Sequence, residues 1–244
     1  MNLCNDIIDA VRTFMQTPRT SFPIREYPSF PEIPWPAAGP RDIILQSDTG
    51  LELGSPKDQS VSFLAWTNDL SLVRDGKISL LGPDIGETGS NRLPFGRVVL
   101  IGGTGFDEEN SYARFREMDL SRYDISLKGY MMRAVSQYMR EWSRISREAV
   151  ENGFSLPLLG SATIQKLKSL DYVDSVEILF VTSSNPDVLE LKQTGDRFIQ
   201  LINAMTKMVE DHNFDCESCE FQTVCDEVEE LRHMHKARKE KELS

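Results

Sequence analysis

The chain has 244 residues, 40% of them hydrophobic, and a formal net charge of −11. That composition supports a packed core rather than disorder, and the acidic balance argues against bulk affinity for nucleic acid or anionic membrane, both of which would repel it. No apolar run reaches the roughly 20 residues that a bilayer-spanning helix needs, and MNLCNDIIDAVRTFM lacks the basic start and apolar block of a secretory signal. A cytoplasmic setting is expected, in which clustered cysteines hold metal more often than they form disulfides.

Asn5 to Gln16 is expected to be helical, because Ile7, Ile8, Val11, Phe14 and Met15 recur at helical spacing. Cys4, one turn before Ile7 and Ile8, should face the same packed side. From Pro18 to Pro40, prolines recur among Phe22, Tyr27, Phe30 and Trp35. They predict an extended arm laid across the surface with its aromatics buried, neither helix nor central strand. Between Leu53 and Gly103, VSFLAW, KISLLG and RVVLIGG are short apolar runs separated by the turn signals Asp75-Gly76 and Gly82-Pro83, which predicts strands. IGGTG, from Ile101 to Gly105, reads as a tight turn, since it completes no phosphate-loop signature.

Leu127 to Asn152 is expected to be a helix closed by Gly153. A second helix is expected over Gly160 to Leu170, then the strand SVEILFVT, then a long helix from Asn185 to Asp211. The charged tail ending in KARKEKELS is expected to be a terminal helix. Strands and helices mixed without βαβ regularity predict an α+β fold, or an irregular α/β one, with a mixed sheet and packed helices. Three regions are expected: an N-terminal helix and proline-rich arm (1–45), a globular body (46–210) and a cysteine-rich C-terminal segment (211–244).

Cys216, Cys219 and Cys225 lie within ten residues, spaced C-x-x-C-x-x-x-x-x-C. Two thiolates separated by two residues can share a metal, and a third after five suits a loop entering a helix. A fourth ligand is still needed for a closed zinc site or a four-iron four-sulfur (4Fe-4S) cluster, and the candidates are Cys4, His212, His233 and His235. The spacing resembles the iron–sulfur staple of RecB-like nucleases, in which one remote cysteine joins three near the C-terminus. That resemblance implies Cys4 as the fourth ligand, pinning the first helix to a metal-stapled C-terminal helical segment. No nuclease carboxylate motif accompanies it. A 4Fe-4S cluster, structural or electron-transferring, is expected, with zinc as the alternative.

Within LKGYMMRAVSQYMREWSRISREAV, Arg133, Arg140, Arg144 and Arg147 would form one stripe of a helix, with Met131, Val135, Tyr138, Trp142, Ile145 and Ala149 on the buried side. Guanidinium forks suit phosphates and carboxylates, so the stripe is a candidate for an anionic ligand or an acidic partner protein. The plainer reading is a solvated face balanced by Glu141 and Glu148.

The segments LELGSPKDQSVSF, RDGKISLLGPDI, NRLPFGRVVLIGG and WSRISREAVENGF occur in that order. Together they resemble the middle domain of acetyl-CoA synthase, the β-type subunit of the carbon monoxide dehydrogenase/acetyl-CoA synthase complex, from about Leu51 to Lys192. In that family the middle domain's arginines and a tryptophan are associated with coenzyme A, which implies Arg133, Arg140, Trp142, Arg144 and Arg147 as cofactor-binding residues. Trp142, in WSRIS, matches the family tryptophan, although the helical reading buries it. The family's later Cys-Gly-Cys is not in this sequence, so the nickel site is not expected to assemble from this chain. The resemblance implies an iron–sulfur protein of one-carbon and acetyl-CoA metabolism in an anaerobe. Its expected partners are carbon monoxide dehydrogenase/acetyl-CoA synthase or corrinoid protein subunits, or ferredoxin. The alternatives are one half of an acyl- or methyl-transfer site shared with another subunit, and a zinc-stapled interaction module.

Overall fold

The structure is a computed structural model that describes residues 3–19, 22–39, 42–136, 140–210, 219–228 and 230–234. Its strands form two mixed sheets. The larger runs in the order β1 (Ile24–Pro28), β4 (Lys77–Leu81), β9 (Ser175–Val181), β6 (Phe95–Gly102), β3 (Ser60–Thr67). Within it β4 is parallel to β9 and β6 to β3, while β1–β4 and β6–β9 are antiparallel. The expected apolar runs are β3, β4 and β6, and β3, β6 and β9 are buried along their whole length. Strands covered on both faces have this continuous apolar character.

Partners in register share a face of the sheet, which fixes the layering. Gly96, Val181 and Leu81 align, and Leu191 of the long helix α5 (Asn185–Glu210) packs over Gly96. On the other face Ile78, Ile178 and Val99 align, and helix α4 (Leu156–Lys168) rests there. Its Gly160 lies so close to the sheet that a methyl group would come within 2.9 Å of Ile78 Cδ1. The result is a helix–sheet–helix sandwich, with α1 (Asn5–Gln16) beside α5. The smaller sheet has the order β5 (Arg92–Leu93), β2 (Thr49–Leu53), β8 (Arg140–Ser146), β7 (Tyr130–Ser136). An α+β fold with a mixed sheet and packed helices is therefore present.

Several expectations need correction. Leu127 to Asn152 is not one helix: the described part is the antiparallel pair β7–β8 followed by the short helix α3 (Arg147–Glu151). Gly153 does follow that helix with φ +87, the left-handed geometry suited to a helix stop. The second helix begins earlier than expected, at Leu156, because Ser155 caps it by accepting from the Leu158 N–H. In the arm, β1 is an edge strand, a position that tolerates Pro28. Tyr27 and Trp35 pack against the core, but Phe22 and Phe30 stay 36% and 37% exposed, so the arm's aromatics are only partly buried.

Candidate functional site

The pairing of β7 with β8 sets Met131 opposite Arg144, Ala134 opposite Trp142 and Ser136 opposite Arg140, with a register shift at Arg133. Side chains alternate along a strand. On β8 this turns Glu141, Ser143 and Ile145 inward, all fully buried, and leaves Arg140 exposed and Trp142 half-buried on the other face. A helix would have separated Trp142 from the arginines; the strand puts Arg140, Trp142 and Arg144 on one side.

The Trp142 ring has two guanidinium neighbours. The Cζ of Arg133 lies 5.5 Å from its centroid and that of Arg144 lies 5.4 Å away. Both are within cation–π range. Arg144 is anchored from behind, since its Nε donates to Glu52 Oε1 at 2.9 Å and its Nη2 bonds Gln46 Oε1. Arg140 is exposed and, among the described residues, donates through Nη2 to the Ser55 carbonyl at 3.1 Å. Arg133 is exposed. Arg144 thus stiffens the platform, while Arg133 and Arg140 are exposed.

Arg147 starts α3 and lies apart from this cluster. Its Nη2 reaches the Ser47 carbonyl at 3.4 Å, in the turn that also supplies Gln46, and it borders a cleft of about 690 Å³ formed with Trp35, Ile43, Lys128 and Glu148. Of the five residues expected to bind a ligand, the described structure brings Arg133, Arg140, Trp142 and Arg144 to one hairpin. Arg147 sits on the neighbouring cleft.

The expected metal staple is not upheld. Among the described residues no group of three or more His, Cys, Asp or Glu could hold a metal ion. Cys4 is fully buried, and burial pushes its thiol up to about 12, against a hydrogen bond with the Trp66 backbone. A thiol held protonated by an apolar pocket is the reverse of a metal-ready thiolate. Cys219 and Cys225 are half-buried, and Cys216, His212 and His235 lie outside the described residues. The 4Fe-4S cluster, its zinc alternative and the metal-stapled C-terminal segment are therefore withdrawn, and with them the iron–sulfur function. Cys4 is a core residue packed with Ile7, Ile8 and Val11.

Sequence reasoning missed Gln46 and Glu52, which orient Arg144, and it treated Glu141 as a surface counter-ion. Glu141 is fully buried and meets Arg97 Nη2 at 2.8 Å. The available signal was Arg97 itself, a lone cation inside the apolar run RVVLIGG, since a buried charge requires a partner.

Residues 39–186 match the family described as CO dehydrogenase/acetyl-CoA synthase complex beta subunit, a span that includes the whole hairpin. The acetyl-CoA decarbonylase/synthase complex subunit beta of Methanothermobacter thermautotrophicus is 26% identical over 175 residues, covering 70% of this chain and 36% of that protein. Its counterpart from Archaeoglobus fulgidus is 26% identical over 146 residues (58% and 27%), and that from Methanopyrus kandleri is 27% identical over 142 (57% and 29%). The chain thus spans about a third of the length of these relatives. Among the described residues no helix is long and apolar enough to cross a membrane. The match extends over more than half of the sequence and holds the ordered strands and the Arg–Trp hairpin together, and the chain belongs to the CO dehydrogenase/acetyl-CoA synthase complex beta-subunit family.

Proposed function

We propose that this chain is a binding module of CO/acetyl-CoA metabolism that takes a phosphate-bearing ligand, coenzyme A or an acyl-CoA, on the outer face of the β7–β8 hairpin. The observation that carries this reading is the Trp142 ring flanked by Arg133 and Arg144, with Arg140 on the same strand face. Guanidinium groups recognise phosphate through paired, charge-assisted hydrogen bonds, and an indole beside them offers a stacking surface for a purine. Arg147 and the turn at Gln46 extend basic and polar groups from the hairpin toward the cleft. The family's link to acetyl-CoA chemistry supports the choice of ligand.

The test is a fluorescence titration with coenzyme A. Trp66 is fully buried and stacks on Phe115, which leaves Trp142 on the hairpin and Trp35 on the Arg147 cleft to respond, and Trp142→Phe separates the two. Saturable quenching that disappears in Trp142→Phe is expected; wild-type protein without any change in emission would contradict the reading.

A second reading uses the same face for an acidic surface on a protein partner. It is favoured by a local concentration of cations in a chain whose net charge is −11, and by the relatives' names as subunits of a complex. Coenzyme A competing with the partner for the face would unite the two readings, whereas binding of both together would separate them.

A further inference from the structure

Behind the hairpin, on the α4 side of the larger sheet, Arg97 of β6 and Arg122 at the end of helix α2 (Ser111–Ser121) line one small cavity. Both are buried, at 2% and 8% exposure. Each already has a carboxylate: Arg97 Nη2 meets Glu141 Oε2 at 2.8 Å and Arg122 Nη2 meets Asp119 Oδ1 at 2.6 Å. Arg122 Nη1 reaches Ser62 Oγ only at 3.5 Å. Three further donors, Arg97 Nε and Nη1 and Arg122 Nε, are buried with no acceptor among the described residues. Unmet charged donors in a low-dielectric interior are costly, so an acceptor is required there.

Size and chemistry restrict that acceptor. The cavity holds about 20 Å³, above the roughly 10–15 Å³ needed by one water and far below the roughly 300 Å³ of an organic ligand pocket. A water accepts but must also donate. The Glu141 and Asp119 carboxylates already face these arginines, which leaves a water mainly the hydroxyl oxygens of Ser62, Ser121 and Thr163 to donate to, beside the apolar Leu64, Val99, Met118 and Leu167. An anion only accepts. Lys166, on the rim, adds a cation and is paired with the exposed Asp124 at 3.0 Å. Burial raises the Asp119 carboxyl from its ordinary value, against the pull of Arg122.

The geometry points to a binding site for one small monovalent anion, of the size of a halide, nitrate or formate, held between Arg97 and Arg122. Because Arg97 also holds Glu141, which neighbours Trp142 on β8, the site braces the hairpin from behind. It does not depend on what the outer face binds.

The experiment is anomalous diffraction from wild-type crystals soaked in sodium bromide, with thermal melts in bromide, nitrate and formate measured against gluconate at equal ionic strength. A bromide peak within hydrogen-bonding reach of Arg97 Nη1 and Arg122 Nε is expected, with a melting temperature that rises with bromide but not with gluconate. Arg122→Gln, which leaves the Arg97–Glu141 pair in place, should weaken the bromide effect about tenfold, the loss of one charge-assisted bond. Water alone refining at the site, or melts that respond equally to all four anions, would overturn the proposal.

Discussion

Glu177 lies in the middle of β9, between Val176 and Ile178, and is only 1% exposed. It accepts from Arg12 Nη1 and Nη2 at 2.6 and 2.5 Å, from Arg74 Nη2 at 2.6 Å and from the Arg74 main-chain N–H at 2.9 Å. These bonds tie helix α1 and the turn before β4 to the sheet. Burial alone would raise this carboxyl, but the bonds from Arg12 and Arg74 outweigh it and hold it below its ordinary 4.5. Removing one member of a buried ion pair costs about 3–5 kcal/mol. We discount toward the lower end because Arg74 is partly exposed, so Glu177→Gln should lose about 3 kcal/mol in urea unfolding at neutral pH. A folded-state value below the unfolded one gives stability that is complete above pH 4.5 and is lost as pH falls through the folded value. The gap between wild type and Glu177→Gln should therefore narrow below pH 4.5; a gap constant from neutral to acid pH would contradict the assignment.

At the scale of elements, the hairpin shows why the sequence was legible in one place and misleading in another. VSFLAW, KISLLG and RVVLIGG announce themselves as strands because both faces are buried and apolar. In β8 the inward positions are Glu141, Ser143 and Ile145, so polar residues occupy the face where strand periodicity would show apolar ones. Their needs are met by tertiary partners: Tyr130 Oη donates to Glu141 Oε1 at 3.2 Å, Arg97 supplies the charge, and Ser60 Oγ donates to the Glu141 carbonyl at 2.6 Å. Without those partners in view, the arginine spacing mimics a helical stripe. The same junction depends on Gly54, at the end of β2, with φ +62 and an approach so close that a methyl group would sit 2.3 Å from the Glu141 carbonyl oxygen. Gly54→Ala should cost about 1–3 kcal/mol from the left-handed backbone alone, and more from the contact. It should also weaken ligand binding at the outer face without touching a contact residue. Unchanged stability in thermal melts would show that the two sheets are not joined as described.

Across the whole molecule, the family resemblance and the mixed-sheet α+β architecture were readable because they rest on long, ordered apolar segments. The candidate site was readable in its residues but not in its arrangement: Arg140, Trp142 and Arg144 come together only through strand alternation. The metal expectation failed because the helical spacing that turns Cys4 to the packed side also encloses its thiol in the core, where burial keeps it protonated. Helix α1 buries it beneath Ile7, Ile8 and Val11, in the core. What distinguishes this net-acidic protein is a basic aromatic platform braced by the buried Arg97–Glu141 pair. The most direct measurement is calorimetric titration of coenzyme A into wild type, Arg133→Ala and the distant surface variant Lys192→Ala. We predict that Arg133→Ala weakens binding about tenfold, roughly one charge-assisted phosphate contact, while Lys192→Ala matches wild type. Equal affinity in all three proteins would contradict the placement of the ligand on the hairpin.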